Sequence, residues 1–196
     1  MSRPLLVTFI AGVAGPWRVD RIDAVRGQGL AAVERLDVRE GGVDVDIPLK
    51  VAWLLRGVTS NTRYTTEAER NALAASQPEL GRPDATRAAL IPIRKTDDWW
   101  DLAQDTRRAI FEERSRHVTA GLQYLPAVAR RLYHGRDLGE PFDFLTWFEY
   151  APADAVVFEE LVNRLRETEE WSYVEREVDV RMTRIDHRPA ETGLLA

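Results

Sequence analysis

The chain has 196 residues, 44% of them apolar and 30% charged, with a formal net charge of −5, the make-up of one globular domain with a sizeable core. So mild an acidic balance argues against nucleic acid as the main partner, because phosphate binding needs a basic surplus. There is no cysteine, which excludes disulfides, thiolate catalysis, zinc–thiolate sites and iron–sulfur clusters and leaves His117, His134 and His187 as nitrogen ligands for a metal.

Residues 4–11 read as a first strand. Their apolar run, 5–10, is too short to span a membrane and no small-residue cleavage site follows it, so the expectation is a cytoplasmic protein with no membrane partner. Residues 16–46 are rich in Gly, Asp and Arg and give only weak signals. Residues 51–59 (VAWLLRGVT) are apolar and β-branched, a strand. A helix opens at Thr65 and Thr66 with early acids and ends at 78–83 among prolines. Residues 88–94 form a strand, and Asp97 or Asp98 caps one long amphipathic helix running to about Leu125. Residues 128–134 alternate as a strand, 136–141 turn, and 142–150 (FDFLTWFEY) form a strong strand. Residues 154–167 form a helix, and 171–185 alternate as the last strand. The tail 187–196 reads as flexible.

The second half thus has the order β-α-β-β-α-β, a ferredoxin-like unit with helices on one face of an antiparallel sheet. The first half reads as a reduced copy. The predicted fold is α+β: one domain over 1–186, with halves 1–87 and 88–186 pairing as a dimeric α+β barrel with its helices outside.

Four groups of residues carry possible chemistry. His117 falls on the apolar stripe of the long helix between Ile110 and Gly121. An imidazole facing the core is satisfied either by hydrogen bonds or by a metal. Gly121 leaves room for a flat cofactor, or serves packing. Arg130 shares a strand face with Val128, Leu132 and His134. If that face is inward, the guanidinium calls for an anion; otherwise Arg130 is an edge arginine paired with Glu149 or Asp143, or one reaching solvent. Glu170 closes an acidic helix end, or accepts the second N–H of a ligating histidine. Arg63, Tyr64, Lys95 and Trp99 are cations and polar-tipped rings of the kind that meet carboxylates, and Lys95 is one of two lysines beside Lys50.

The stretches LLRGVTSNTRYTTEAE (54–69), LIPIRKTDDWW (90–100), FEERSRH (111–117), AVARRLYHG (127–135), FDFLTWFEY (142–150) and LRETEEWSYV (165–174) together resemble the chlorite dismutase family, which is related to coproheme decarboxylases and dye-decolorising peroxidases. The resemblance implies haem b, with His117 as the proximal iron ligand and Glu170 hydrogen-bonded to it; Glu167 and Glu169 are the alternatives. It implies Arg130 as the catalytic distal arginine, Lys95, Tyr64, Trp99 and Arg63 at the haem propionates, and Leu132, Thr146 and Phe148 lining the distal pocket. The implied reaction converts chlorite to chloride and dioxygen through a ferryl and a hypochlorite fragment that recombine, with Arg130 holding the anion. The short first half resembles the short-chain, homodimeric subgroup. The rivals are a coproheme decarboxylase, a branch that typically has glutamine where this chain has Arg130, a non-catalytic haem-binding dimer, and a structural dimer without haem.

Overall fold

Alternating side chains and short turns give eight strands, because successive residues of a strand point to opposite faces and each face here has its own apolar partner. The computed structural model describes residues 5–41, 50–59, 65–76, 78–125 and 127–185; Arg63, Tyr64 and the tail 187–196 lie outside them. The strands are β1 (Leu6–Gly12), β2 (Trp17–Arg26), β3 (Arg35–Glu40), β4 (Val51–Thr59), β5 (Arg87–Lys95), β6 (Val128–His134), β7 (Phe144–Tyr150) and β8 (Val174–Arg184). They close into an antiparallel barrel in the order β1-β3-β2-β8-β5-β7-β6-β4. Two seams are thin: β2 meets β3 at Trp17↔Leu36 and Arg18↔Arg35, and β4 meets β6 at Val58↔His134 and Thr59↔Tyr133.

One set of alternating residues fills the barrel. Phe9, Trp17, Leu90, Tyr133, Leu145, Trp147, Val180 and Met182 pack there, with Trp147 edge-on to Trp17 at 5.3 Å. The other set faces outward and is covered by helices. Ala89, Ile91, Ile93, Phe144, Phe148 and Tyr150 pack against Ala120, Phe158, Leu161 and Leu165. Phe158 is fully buried, worth roughly 2–3 kcal/mol of apolar transfer. The architecture is therefore α+β with helices outside an antiparallel barrel, as the sequence predicts.

The helices are α1 (Glu67–Ser76), α2 (Asp97–Asp101), α3 (Gln104–Arg108), α4 (His117–Tyr124) and α5 (Ala155–Arg166). Thr66 and Glu69 start α1 with reciprocal bonds, Thr66 N–H to Glu69 Oε2 at 2.7 Å and Glu69 N–H to Thr66 Oγ1 at 3.3 Å, a capping box.

Three sequence expectations need correction. The single helix over 97–125 is broken: Leu102 and Ala103 are extended between α2 and α3, and a π-helix, Ala109–Arg114, leads to a second break. Residues 16–46 contain β2 and β3, whose alternation is masked by charged outward positions and by the intervening loop. Residues 171–173 belong to a 3₁₀ turn, Glu169–Tyr173, and not to β8.

Candidate functional site

The geometry begins with the second helix break. At the end of the π-helix, Ser115 N–H reaches the Ile110 carbonyl at 3.1 Å. Arg116 then takes a left-handed conformation, φ 50° and ψ 40°, which costs an L-residue energy and interrupts the helix. His117 is consequently the first residue of α4. The orphan amides at that start have no Ser, Thr, Asp or Asn cap. Glu112 serves them from the π-helix, accepting from Val118 N–H at 2.7 Å, Thr119 N–H at 3.2 Å and the Thr119 hydroxyl at 2.5 Å. Sequence reasoning missed Glu112, because a cap reaching across a helix break has no fixed spacing.

His117 Nδ1 lies 2.7 Å from Glu170 Oε2. Glu170 is 5% exposed, and its other oxygen accepts from Lys95 Nζ at 2.9 Å. Lys95 Nζ also donates to the Glu170 carbonyl at 3.1 Å, and Glu170 N–H donates to Ser115 Oγ at 3.0 Å. Burial alone would push the Glu170 carboxyl up, but the Lys95 ammonium and His117 outweigh it and hold the carboxyl at about 2. An ionised carboxylate on Nδ1 fixes the ring as the Nδ1–H tautomer and leaves the Nε2 lone pair for a ligand. Phe111 stacks on the imidazole at 4.5 Å.

His117 lines a cavity of about 530 Å³ between the outer face of the barrel and α1, α4 and α5, within the usual size of a small-molecule site. Across it β6 and β7 place Arg130 opposite Phe148 and Leu132 opposite Thr146, and all four side chains line the space. Arg130 Nε is buried, and burial pulls the guanidinium below the usual arginine range; a desolvated cation of this kind favours an anion beside it. Glu149 and Asp143, the two carboxylates named beside it in the sequence reading, hold other donors as well. Glu149 accepts from the Trp147 indole and Gly81 N–H, and Asp143 from Lys95 N–H, the Trp100 indole and Arg136.

Gly121 lines the same cavity, and a Cβ added there would meet nothing within 4 Å. The glycine therefore keeps a wall flat and is not a packing device. Among the described residues no group of three His, Cys, Asp or Glu side chains could hold a bare metal ion. The His117 imidazole faces a mostly apolar space, with His134 further along β6, which fits a metal that brings its own planar ligands. The residues present fit a haem.

Of the acidic run, Glu170 is the carboxylate at His117, while Glu167 and Glu169 are exposed and Glu169 pairs with Arg114 at 3.2 Å. Lys95 and Trp99 are placed differently from a propionate contact. Lys95 is 2% exposed and bound to Glu170, and Trp99, 1% exposed, lies beneath it with its ring centre 4.6 Å from Nζ. The apolar environment suits the lysine because Glu170 neutralises it. Arg63 and Tyr64 lie outside the described residues. His134, four positions after Arg130, also lines the cavity, roughly 13 Å further along the strand.

No helix among the described residues is long and apolar enough to cross a membrane. The chlorite dismutase family model matches residues 44–185. The dimeric chlorite dismutase from Nitrobacter winogradskyi is 53% identical in sequence and superposes over 91% of this chain and 99% of that one with a TM-score of 0.85. Chlorite dismutase from Candidatus Nitrospira defluvii, solved in complex with imidazole, shares the fold at 21% identity over 91% of each chain with a TM-score of 0.62. Chlorite dismutase of Ideonella dechloratans is 40% identical over 67 residues, 34% of this chain and 22% of that protein. The span of the family match and the likeness over nearly the whole chain agree: this chain belongs to the chlorite dismutase family.

Proposed function

We propose that the cavity takes haem b on His117 and that the loaded protein converts chlorite to chloride and dioxygen. The observation that carries this reading is the pairing, across one apolar cavity, of an imidazole whose Nδ1 is tied to a buried carboxylate with a half-buried arginine whose Nε is buried. When bound, the haem supplies the iron at which the chlorine–oxygen bonds break and the oxygen–oxygen bond forms.

The chain's own residues position and neutralise. Glu170 and Lys95 make His117 a basic, oriented ligand. Arg130 meets the negative charge of chlorite in a site of low dielectric and retains anionic fragments until chloride leaves. Leu132, Thr146 and Phe148 exclude water. Chlorite contains every atom of chloride and dioxygen, so no side chain has to move a proton. The partner in this reading is a second copy of the chain, supported by the dimeric relative at 53% identity. A cytoplasmic setting belongs to the same reading, supported by the use of the early apolar run as barrel strand β1.

The test is reconstitution with haem, recording the visible spectrum and then oxygen release on adding chlorite. The expected result is a Soret band and oxygen evolution. A Soret band without oxygen favours a non-catalytic haem-binding dimer, and its absence removes haem from the reading. Products from added coproheme and peroxide would favour the decarboxylase. Arg130→Ala should retain the Soret band, lose about 10²–10³ in turnover and release hypochlorite.

A further inference from the structure

A second buried carboxylate, Glu177 on β8, lines the same cavity and is 1% exposed. Its Oε2 accepts the Trp171 indole N–H at 2.7 Å. Its Oε1 accepts Arg166 Nε at 2.7 Å, and Arg166 also reaches Asp179 Oδ2 at 2.9 Å. Trp171 directly follows Glu170 in the 3₁₀ turn, and its ring centre stands 5.5 Å from Lys95 Nζ.

We propose that Glu177 is a positioning residue for His117: by clamping the Trp171 indole it fixes the 169–173 turn so that Glu170 reaches the imidazole. The turn spans five residues, too few to hold a shape without outside partners. Its partners include Ser115 on the Glu170 amide, Lys95 on the Glu170 carbonyl, Arg26 on the Trp171 carbonyl, the Thr96 amide on the Tyr173 carbonyl, and Glu177 on the Trp171 ring. The first two act on the residue that must be placed. Glu177 acts from β8 on the Trp171 ring, and adds a side-chain clamp to the ties from Lys95 on β5 and Arg26 on β2.

The charges support the division of labour. Two buried carboxylates, Glu170 and Glu177, border one cavity beside one ammonium. Arg166 neutralises Glu177, which leaves Lys95 for Glu170. A buried carboxylate that lost its cation would compete for the nearest one.

The inference rests on the haem reading only for its functional consequence, and its test uses the haem-free protein. The probe is the His117 Nδ1–H proton, seen by ¹⁵N-edited NMR as a low-field signal while Glu170 holds it. Glu177→Leu removes the acceptor, and Trp171→Phe removes the donor while keeping a ring over Lys95. Both should lose the signal and expose the Glu170 amide to faster hydrogen exchange, and Glu177→Gln, which keeps an oxygen for the indole, should retain both. Should Glu177→Leu not fold, Trp171→Phe decides. Retention of the Nδ1–H signal in folded Trp171→Phe, or its loss in Glu177→Gln, overturns the assignment. Failure of the wild type to take up haem would refute the haem reading and leave this result standing.

Discussion

Replacing Lys95 by Met keeps most of the stem's volume and removes the ammonium that holds Glu170 ionised. The wild-type carboxyl sits at about 2 against an ordinary value of 4.5, which corresponds to about 3 kcal/mol favouring the ionised form in the folded state. Removing one partner of a buried pair costs about 3–5 kcal/mol by a separate route, the uncompensated charge left behind. The two agree, and at this chain length they translate into a fall in Tm of roughly 6–20 °C at pH 7. The pH dependence has a definite sign. A folded-state value below the unfolded one contributes stability that is complete above about 4.5 and is lost as pH falls towards 2. The gap between wild type and Lys95→Met should therefore be widest above pH 5 and narrow on acidification. Urea unfolding of the haem-free proteins from pH 7 to pH 3 measures it. The double variant Lys95→Met, Glu170→Leu should regain most of the lost stability, because two apolar groups replace two charges, yet remain poor in haem affinity because His117 has lost its carboxylate. Equal midpoints for the wild type and the single variant, or a gap that grows towards low pH, would refute the reasoning.

Glu112→Ala leaves the Val118 and Thr119 amides at the start of α4 without their acceptor and should cost about 1–2 kcal/mol by urea unfolding; an unchanged midpoint would show that solvent replaces the cap. Gly121→Phe projects a ring into open space, so Tm should hold while haem uptake, titrated at the Soret band, is lost; wild-type uptake would move the cofactor away from α4. Burial alone would raise the Asp179 carboxyl, but Arg181 and Arg166 outweigh it and hold it below its ordinary 3.8. The stability it contributes is present above that value and lost below it. Asp179→Asn should thus be less stable than wild type at pH 7 and approach it below about pH 3.8 in urea titrations, and a gap independent of pH would contradict the pairing.

How much of this was legible in the sequence depended on whether the determining contact is local. β4, β6 and the box that starts α1 have their period or their cap within a few residues, and the structure reproduces them. Arg130 could be assigned a common face with Val128, Leu132 and His134 because a strand's period of two is not disturbed by tertiary contacts, and all four line one cavity. β2 is different. Its residues alternate poorly because most of them face solvent, and its pairing with β8 joins positions more than 150 residues apart. The helix over 97–125 shows the sharpest limit. Apolar residues recur at 102, 110, 118, 122 and 125 as they would in one continuous helix, yet a π-turn and a left-handed Arg116 break it. What favours the break is not in the repeat. It is the set of contacts available only once Glu170 arrives from beyond α5: Ser115 on its amide and His117 on its carboxylate, with Glu112 capping the new helix start. An unbroken helix would leave Glu112 without its α4 amides and would carry His117 out of its present place on the first turn of α4. Among the described residues the one non-glycine residue with a left-handed backbone therefore stands next to the candidate ligand, where strain is sustained by the buried contacts on either side of it.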